Sequence, residues 1–220
     1  QEVIISGHNA PGSIKRNILH LYKGSLNGDS LFHQTYEITE AEGREVGANG
    51  IQLYNNQYVI TGFGSYGDDV FENGRATTLW INQDGTLDTT IFFDTYQYNC
   101  HQSIIDNNDN LVIMYSAFDS DDFFWKKKLG FVKFNEEKEI IWEWESTFNF
   151  DDNRMPIFNI TENNEMVFVF QPDPDEFDNE SAIGMLSEDG EMLWQHEFIT
   201  GPFKNISIQE LIIAENGDIL

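Results

Sequence analysis

Asn164-Glu165 followed by Met166-Val-Phe-Val-Phe170 decides how the rest of the chain is read: a polar turn, then an unbroken apolar run. The same phrase stands at Asn56-Gln57 before Tyr58-Val-Ile-Thr-Gly62, and at Asp109-Asn110 before Leu111-Val-Ile-Met-Tyr115. It opens the chain as Gln1-Glu2 before Val3-Ile-Ile-Ser-Gly7 and restarts at Gly217-Asp218 before Ile219-Leu220. The run starts at Val3, Tyr58, Leu111, Met166 and Ile219, giving spacings of 55, 53, 55 and 53 residues. A constant period of that size is the mark of a repeat architecture.

Each period holds four short apolar segments. In the third, residues 102–106, 111–115, 129–134 and 140–144 read as strands, separated by turns at 107–110 and 135–138 and a polar stretch over 116–128. Asn27-Gly28, Asp84-Gly85 and Asp189-Gly190 each lie between apolar runs, a hairpin signal. The second strand of each period is apolar on both faces, whereas a sheet with one wet face would alternate. Burial on both faces follows when small sheets stack face to face, as the four-stranded blades of a β-propeller do. The fourth strands, Trp142-Glu-Trp144 and Trp194-Gln-His-Glu-Phe198, alternate and suit a half-exposed outer position. The expected fold is therefore an all-β propeller, or part of one. It has about four four-stranded antiparallel blades in a single repeat domain over 1–220.

The segments 51–54, 102–105, 157–160 and 208–213 then become innermost strands. Residues 206–214 could complete the blade that Val3–Gly7 begins, closing a ring of four. Alternatively, the restart at Ile219-Leu220 means that the repeat continues, and the sequence favours this. Gln1 reads as the end left by signal-peptide removal, which predicts export.

Of 220 residues, 38 are acidic and 12 basic, a net charge of −26. That field repels phosphate backbones and anionic lipid, so neither nucleic-acid binding nor docking on anionic lipid is expected. No apolar run approaches the ~20 residues of a membrane helix, so membrane insertion is not expected either. It favours a basic protein or a cation. The single cysteine, Cys100, excludes an intrachain disulfide and reads as buried filler. Lys126-Lys-Lys128 is the one basic cluster and reads as an offset for acids at a blade edge.

The stretches joining second to third strands (8–17, 63–77, 116–128, 171–181) would leave one end of the blades, where binding loops on a rigid scaffold gather. Three are acidic and aromatic. Their candidate binding residues are Asp68, Asp69 and Phe71; Asp119, Asp121, Asp122, Phe124 and Trp125; and Asp173, Asp175, Glu176 and Phe177. Aromatic faces beside carboxylates can stack sugar rings and bond their hydroxyls, or accept Lys and Arg from a protein. Asp119–Asp122 and Asp173–Glu176 also offer oxygens to calcium, but neither has the Gly and distal Glu of a calcium loop, so no cofactor is expected.

His20, His33 and His196 fall in strands and read as structural; no spacing of His and Cys suggests zinc. Asn159-Ile-Thr161, Asn179-Glu-Ser181 and Asn205-Ile-Ser207 match the N-glycan acceptor pattern. No nucleophile elbow, phosphate loop or dinucleotide fingerprint occurs. The chain is thus expected to be non-catalytic. The alternative is a carbohydrate-active propeller whose paired acids come from loops of different blades.

Leu79-Trp-Ile-Asn-Gln-Asp-Gly-Thr-Leu-Asp-Thr-Thr-Ile-Phe92 resembles the delta-sixty class of propeller repeat. Met185-Leu-Ser-Glu-Asp-Gly-Glu-Met-Leu-Trp-Gln-His-Glu-Phe198 is similar to the phrase common in secreted propellers of Bacteroidetes-type bacteria. This resemblance implies a secreted or outer-surface protein handled by type nine secretion. It also implies a partner protein or glycan in adhesion, surface motility or the secretion apparatus itself.

Overall fold

The computed structural model describes residues 2–8, 18–37, 46–65, 74–93, 97–118, 127–150, 156–171, 181–198, 210–214 and 218–219. Every regular element among them is a β-strand, and no helix among them is long and apolar enough to cross a membrane. Sheet A is β1 (Glu2–His8), β2 (Ile18–Ser25) and β3 (Ser30–Glu37). Sheet B is β4 (Val46–Tyr54), β5 (Gln57–Ser65), β6 (Gly74–Asn82) and β7 (Leu87–Phe92). Sheet C is β8 (Gln97–Ile105), β9 (Leu111–Phe118), β10 (Lys127–Phe134) and β11 (Ile140–Phe150). Sheet D is β12 (Ile157–Ile160), β13 (Met166–Phe170), β14 (Ser181–Leu186) and β15 (Met192–Phe198). Each sheet runs in sequence order, so consecutive strands are hydrogen-bonded neighbours.

The period-2 reading therefore gives the blades their order. Strand lengths differ from the expected five or so residues: β11 has 11 and β9 has 8. They extend toward the stretches read as loops, because Ser116 and Ala117 are buried and can only satisfy their backbone in the ladder.

The turns recur in one form. In Ser25–Asp29, Asn82–Thr86, Asp106–Asn110, Asn135–Glu139, Thr161–Glu165 and Ser187–Glu191 the first residue's carbonyl accepts from the fourth residue's N–H. Its own N–H donates to the fifth residue's carbonyl. This is a tight turn closed by a residue in the left-handed region. That residue is Gly28, Gly85 or Gly190 in three turns, and Asp109, Lys138 or Asn164 in the others. The hairpins expected at Asn27-Gly28, Asp84-Gly85 and Asp189-Gly190 are thus present, as three-residue loops. The β4–β5 turn differs: Asn55 and Asn56 both have positive φ, 44° and 59°.

After each third-to-fourth-strand turn the register slips by one residue, at Lys23/Gly24, Trp80/Ile81, Lys133/Phe134 and Met185/Leu186. The extra residue bulges out of the outer strand, leaving Leu31, Ile141 and Leu193 about half exposed. A bulge there twists the free edge away from further pairing.

The chain divides into two compact units, Gln1–Ser103 and Ile104–Leu220, and β8 crosses from one to the other. In the first unit Leu19, Leu21 and Tyr36 of sheet A pack against Tyr58, Ile60, Leu79 and Ile81 of sheet B. In the second, Val112, Met114, Leu129 and Phe131 of sheet C pack against Phe158, Met166, Phe168, Phe170 and Leu186 of sheet D. The opposite face of sheet D buries Val167, Val169 and Ile183 under Leu211, with Ile213 and Ile219 alongside. Met166–Phe170 is accordingly buried at all of its positions. Ile213 pairs with Ile219, and Ala214 N–H donates to Asp218, repeating the β12–β13 hairpin on the far face of sheet D.

Candidate functional site

In each sheet the antiparallel order puts the second-to-third connection at the strand ends opposite the tight turns. The strands leading there are rigid: Leu111 through Ala117 of β9 and Leu129 through Phe134 of β10 are buried without interruption. Asp68, Asp69, Phe71, Asp119, Asp121, Asp122, Phe124, Trp125, Asp173, Asp175, Glu176 and Phe177 all lie outside the described residues. So do Lys126, Asn179 and Asn205. Lys127 and Lys128 are half-buried in β10, which lies between β9 and β11. The part of the lysine run that the structure describes is therefore inside the sheet, where Lys stems cover apolar surface.

At the turn end of the second unit, Lys133 Nζ lies 2.7 Å from Asp106 Oδ2, with side-chain exposures of 4% and 1%. The Asp106 carboxylate also accepts from the Asn108 and Asn110 N–H groups at 2.9 and 2.8 Å, so the acid organises its own turn. Burial pushes the Asp106 carboxyl up, but the Lys133 ammonium and the Asn110 donors outweigh this and hold it below its ordinary value. The neighbouring turns join the cluster. Asn107 N–H donates to Asn164 Oδ1 at 2.8 Å, Asn108 Nδ2 to Glu188 Oε1 at 2.6 Å, and Trp142 Nε1 to the Glu188 carbonyl at 2.9 Å. Asp106-Asn-Asn-Asp-Asn110, read as a turn, is therefore also a clasp between sheets C and D. Sequence reasoning missed Lys133. Its signal was a lone cation inside Leu129-Gly-Phe-Val-Lys-Phe134, a strand apolar on both faces.

On the other face of sheet C, Tyr115 lies across Gly130, its register partner on β10, where a Cβ would overlap the ring. The phenol so reaches β11 and donates to Glu143 at 2.9 Å and Glu145 at 3.3 Å. Burial first, then these two carboxylates, hold the phenol protonated far above its usual range. The trio is a structural tie with its donor fully committed.

The innermost strands of the first unit carry a second polar group. Asn49 Nδ2 donates to Asn99 Oδ1 at 2.6 Å and to the Cys100 carbonyl at 2.7 Å, joining β4 to β8. Cys100 is fully buried, and burial raises its thiol to about 12 despite donors from Thr77 and Gly62. The filler reading of this cysteine holds, since a reactive thiol needs a low pKa and exposure. Asn159 uses its amide within the fold: Nδ2 donates to the Leu211 carbonyl and Oδ1 accepts from Ile160 N–H. His20 and His33 lie on β2 and β3, 3.3 Å apart between His20 Nδ1 and His33 Nε2. His196 stands beside Trp194, ring centres 5.3 Å apart. Among the described residues, no group of three or more His, Cys, Asp and Glu could hold a metal.

No known protein family matches the sequence, and no curated protein is similar to it. Solved structures are. An endo-arabinase from Bacteroides thetaiotaomicron VPI-5482 matches over 98% of this chain and 82% of its own, with 10% identity and a TM-score of 0.51. A Bombyx mori GH32 β-fructofuranosidase (98% of this chain, 11% identity, TM-score 0.46) and a eukaryotic initiation factor (90%, 11%, 0.42) match more loosely. This chain spans about half the length of those two, 50% and 52%. Identity of this order speaks to fold alone. With the strand order above, it makes the fold class an all-β propeller, whole or partial. Three of the blades are four-stranded, and the first is three-stranded among the described residues.

Proposed function

We propose that this chain is the propeller portion of a secreted or outer-surface interaction module. It binds a protein or glycan through the acidic, aromatic stretches between second and third strands. The observation that carries the reading is topological: those stretches leave each sheet from the end away from the tight turns, on strands buried through both faces. Sequence variety gathers where the scaffold is stiffest, as binding loops require. A net charge of −26 selects a cationic protein surface or a neutral glycan over a nucleic acid. The partner's setting in adhesion, surface motility or type nine secretion follows from the resemblance of the repeat phrases.

The test is a glycan array with a parallel pull-down, using the wild-type chain, a Trp125→Ala variant and a combined Asp121→Asn, Asp122→Asn variant. Saturable capture that both variants weaken supports the reading. Capture unchanged in both, or none from either assay, overturns it. A second reading, a carbohydrate-active enzyme, is favoured by the fold likeness to an endo-arabinase. Polysaccharide turnover that disappears when two loop carboxylates on different sheets become amides would establish it instead.

A further inference from the structure

We infer that His20 and His33 form a two-imidazole site for a borderline divalent transition ion such as Cu(II), Ni(II) or Zn(II). The site belongs to sheet A and is independent of the loops invoked for partner binding. His20 is half-buried on β2 and His33 is exposed on β3. In the register Tyr22 faces His33 and His20 faces Thr35, so the two histidines are diagonal neighbours on one face. Their facing nitrogens, Nδ1 of His20 and Nε2 of His33, are 3.3 Å apart, with ring centres at 5.5 Å. Two nitrogens bound to one ion at about 2.0–2.1 Å, with tetrahedral or square angles between them, are themselves about 3–3.4 Å apart. The observed separation is that bite.

In the metal-free pair one of the facing nitrogens carries the hydrogen between them. Once that proton is moved off, each facing nitrogen offers a lone pair to an ion.

The backbone under the pair is fixed. Leu19 and Leu21 are fully buried on either side of His20. Tyr36, beyond His33 on β3, donates to the Gly85 carbonyl of sheet B at 2.7 Å. A preorganised pair loses little freedom on binding. Imidazole donors select copper, nickel and zinc over calcium and magnesium. The charge of −26 raises the local concentration of any cation. Two protein ligands leave the remaining positions to water or to a donor from a second molecule.

The test adds Ni(II) or Cu(II) in substoichiometric amounts to the whole chain while the ring signals of its five histidines are followed by NMR. The His20 and His33 signals should broaden before those of His8, His101 and His196. Zn(II) calorimetry should give one saturable site in wild type, absent in His33→Asn and in His20→Asn and retained in His196→Asn. Excess Ca(II) should leave that site intact, which separates it from diffuse binding by 38 carboxylates. Simultaneous broadening of all five histidines, an isotherm unchanged in His33→Asn, or displacement by Ca(II) would each overturn the assignment. His33 is exposed, so the variant keeps its fold and remains informative.

Discussion

The two compact units join their sheets by different chemistry. Between sheets A and B the contact is mainly aliphatic, with Tyr36 and Tyr58 buried in it; Tyr36 Oη donates to the Gly85 carbonyl, and Lys23 Nζ lies 5.7 Å from the Tyr58 ring centre. Between sheets C and D the contact is aromatic. Phe131 meets Phe158 and Phe168 at 5.3 Å, Trp144 meets Phe168 at 5.8 Å, and Phe148 stacks on Phe170 at 4.4 Å. Its polar ties are Asn107 N–H donating to Asn164, and Asn108 and Trp142 donating to Glu188, set beside an ion pair, Asp106 with Lys133, that is buried within sheet C. The turns differ as well. The first unit's two turns of the five-residue form close on glycine, Gly28 and Gly85, whereas the second unit closes three of its four on Asp109, Lys138 and Asn164 and only the last on Gly190. One repeat pattern therefore tolerates either an aliphatic or an aromatic seam, provided that the strand order and the burial are kept.

This contrast can be broken most sharply at Phe168, which has no exposed surface and touches rings from both sheets. Phe168→Ala should cost about 3–5 kcal/mol in denaturant unfolding, since it leaves a cavity among rigid rings. Hydrogen exchange should place the loss in residues 104–220. Equal loss of protection in residues 1–103 would show that the units do not open separately.

Asp106→Asn comes next, at about 3 kcal/mol, because it strands the buried Lys133 ammonium. Adding Lys133→Met should recover much of that loss, and a simple sum of the two single effects would remove the ion pair from the explanation. The Asp106 carboxyl is held below its ordinary value in the fold, from a reference of 3.8. Its stabilising share is thus present above that reference and lost as pH falls through the folded value. The double variant should show a shallower acid limb in unfolding against pH.

Tyr36→Phe should cost the first unit about 1 kcal/mol, the worth of one hydrogen bond. Burial, helped by Asp84, raises Tyr36 from 10.0 to about 12. Its share is complete below pH 10 and disappears as pH rises toward 12, so the variant should flatten alkaline unfolding in that window. The smallest effect has the opposite sign. Lys138 holds φ at 66°, and Lys138→Gly should stabilise by up to about 1 kcal/mol in thermal unfolding. A neutral or negative result would mean that the lysine side chain contributes more than its backbone strain costs.

Much of the fold was legible in the chain. Met166–Phe170 had to be buried on both sides, and it is; Trp142-Glu-Trp144 had to alternate, and Glu143 is exposed between two half-buried tryptophans. These are local statements, fixed by a period of two and by turns closed within five residues. The bulges were less legible. Ile140-Ile-Trp142 gives no sign of which residue is extra, because the slip is settled by pairing with Lys133 and Phe134. The acidic, aromatic stretches were legible as composition only.

By itself the sequence determined the repeat, the strand order, the turn positions and the acidic character, since each depends on neighbours along the chain. Only the tertiary structure decided which side chains meet: Asp106 with Lys133 inside sheet C, and Asn108 with Glu188 and Asn49 with Asn99 between sheets. It also set the 3.3 Å that separates His20 from His33. The reason is geometric. Alternation tells which face a residue takes, but the partner across a seam depends on the stagger of stacked sheets. The gap between two imidazoles likewise depends on strand register, and neither is written in any one stretch of chain.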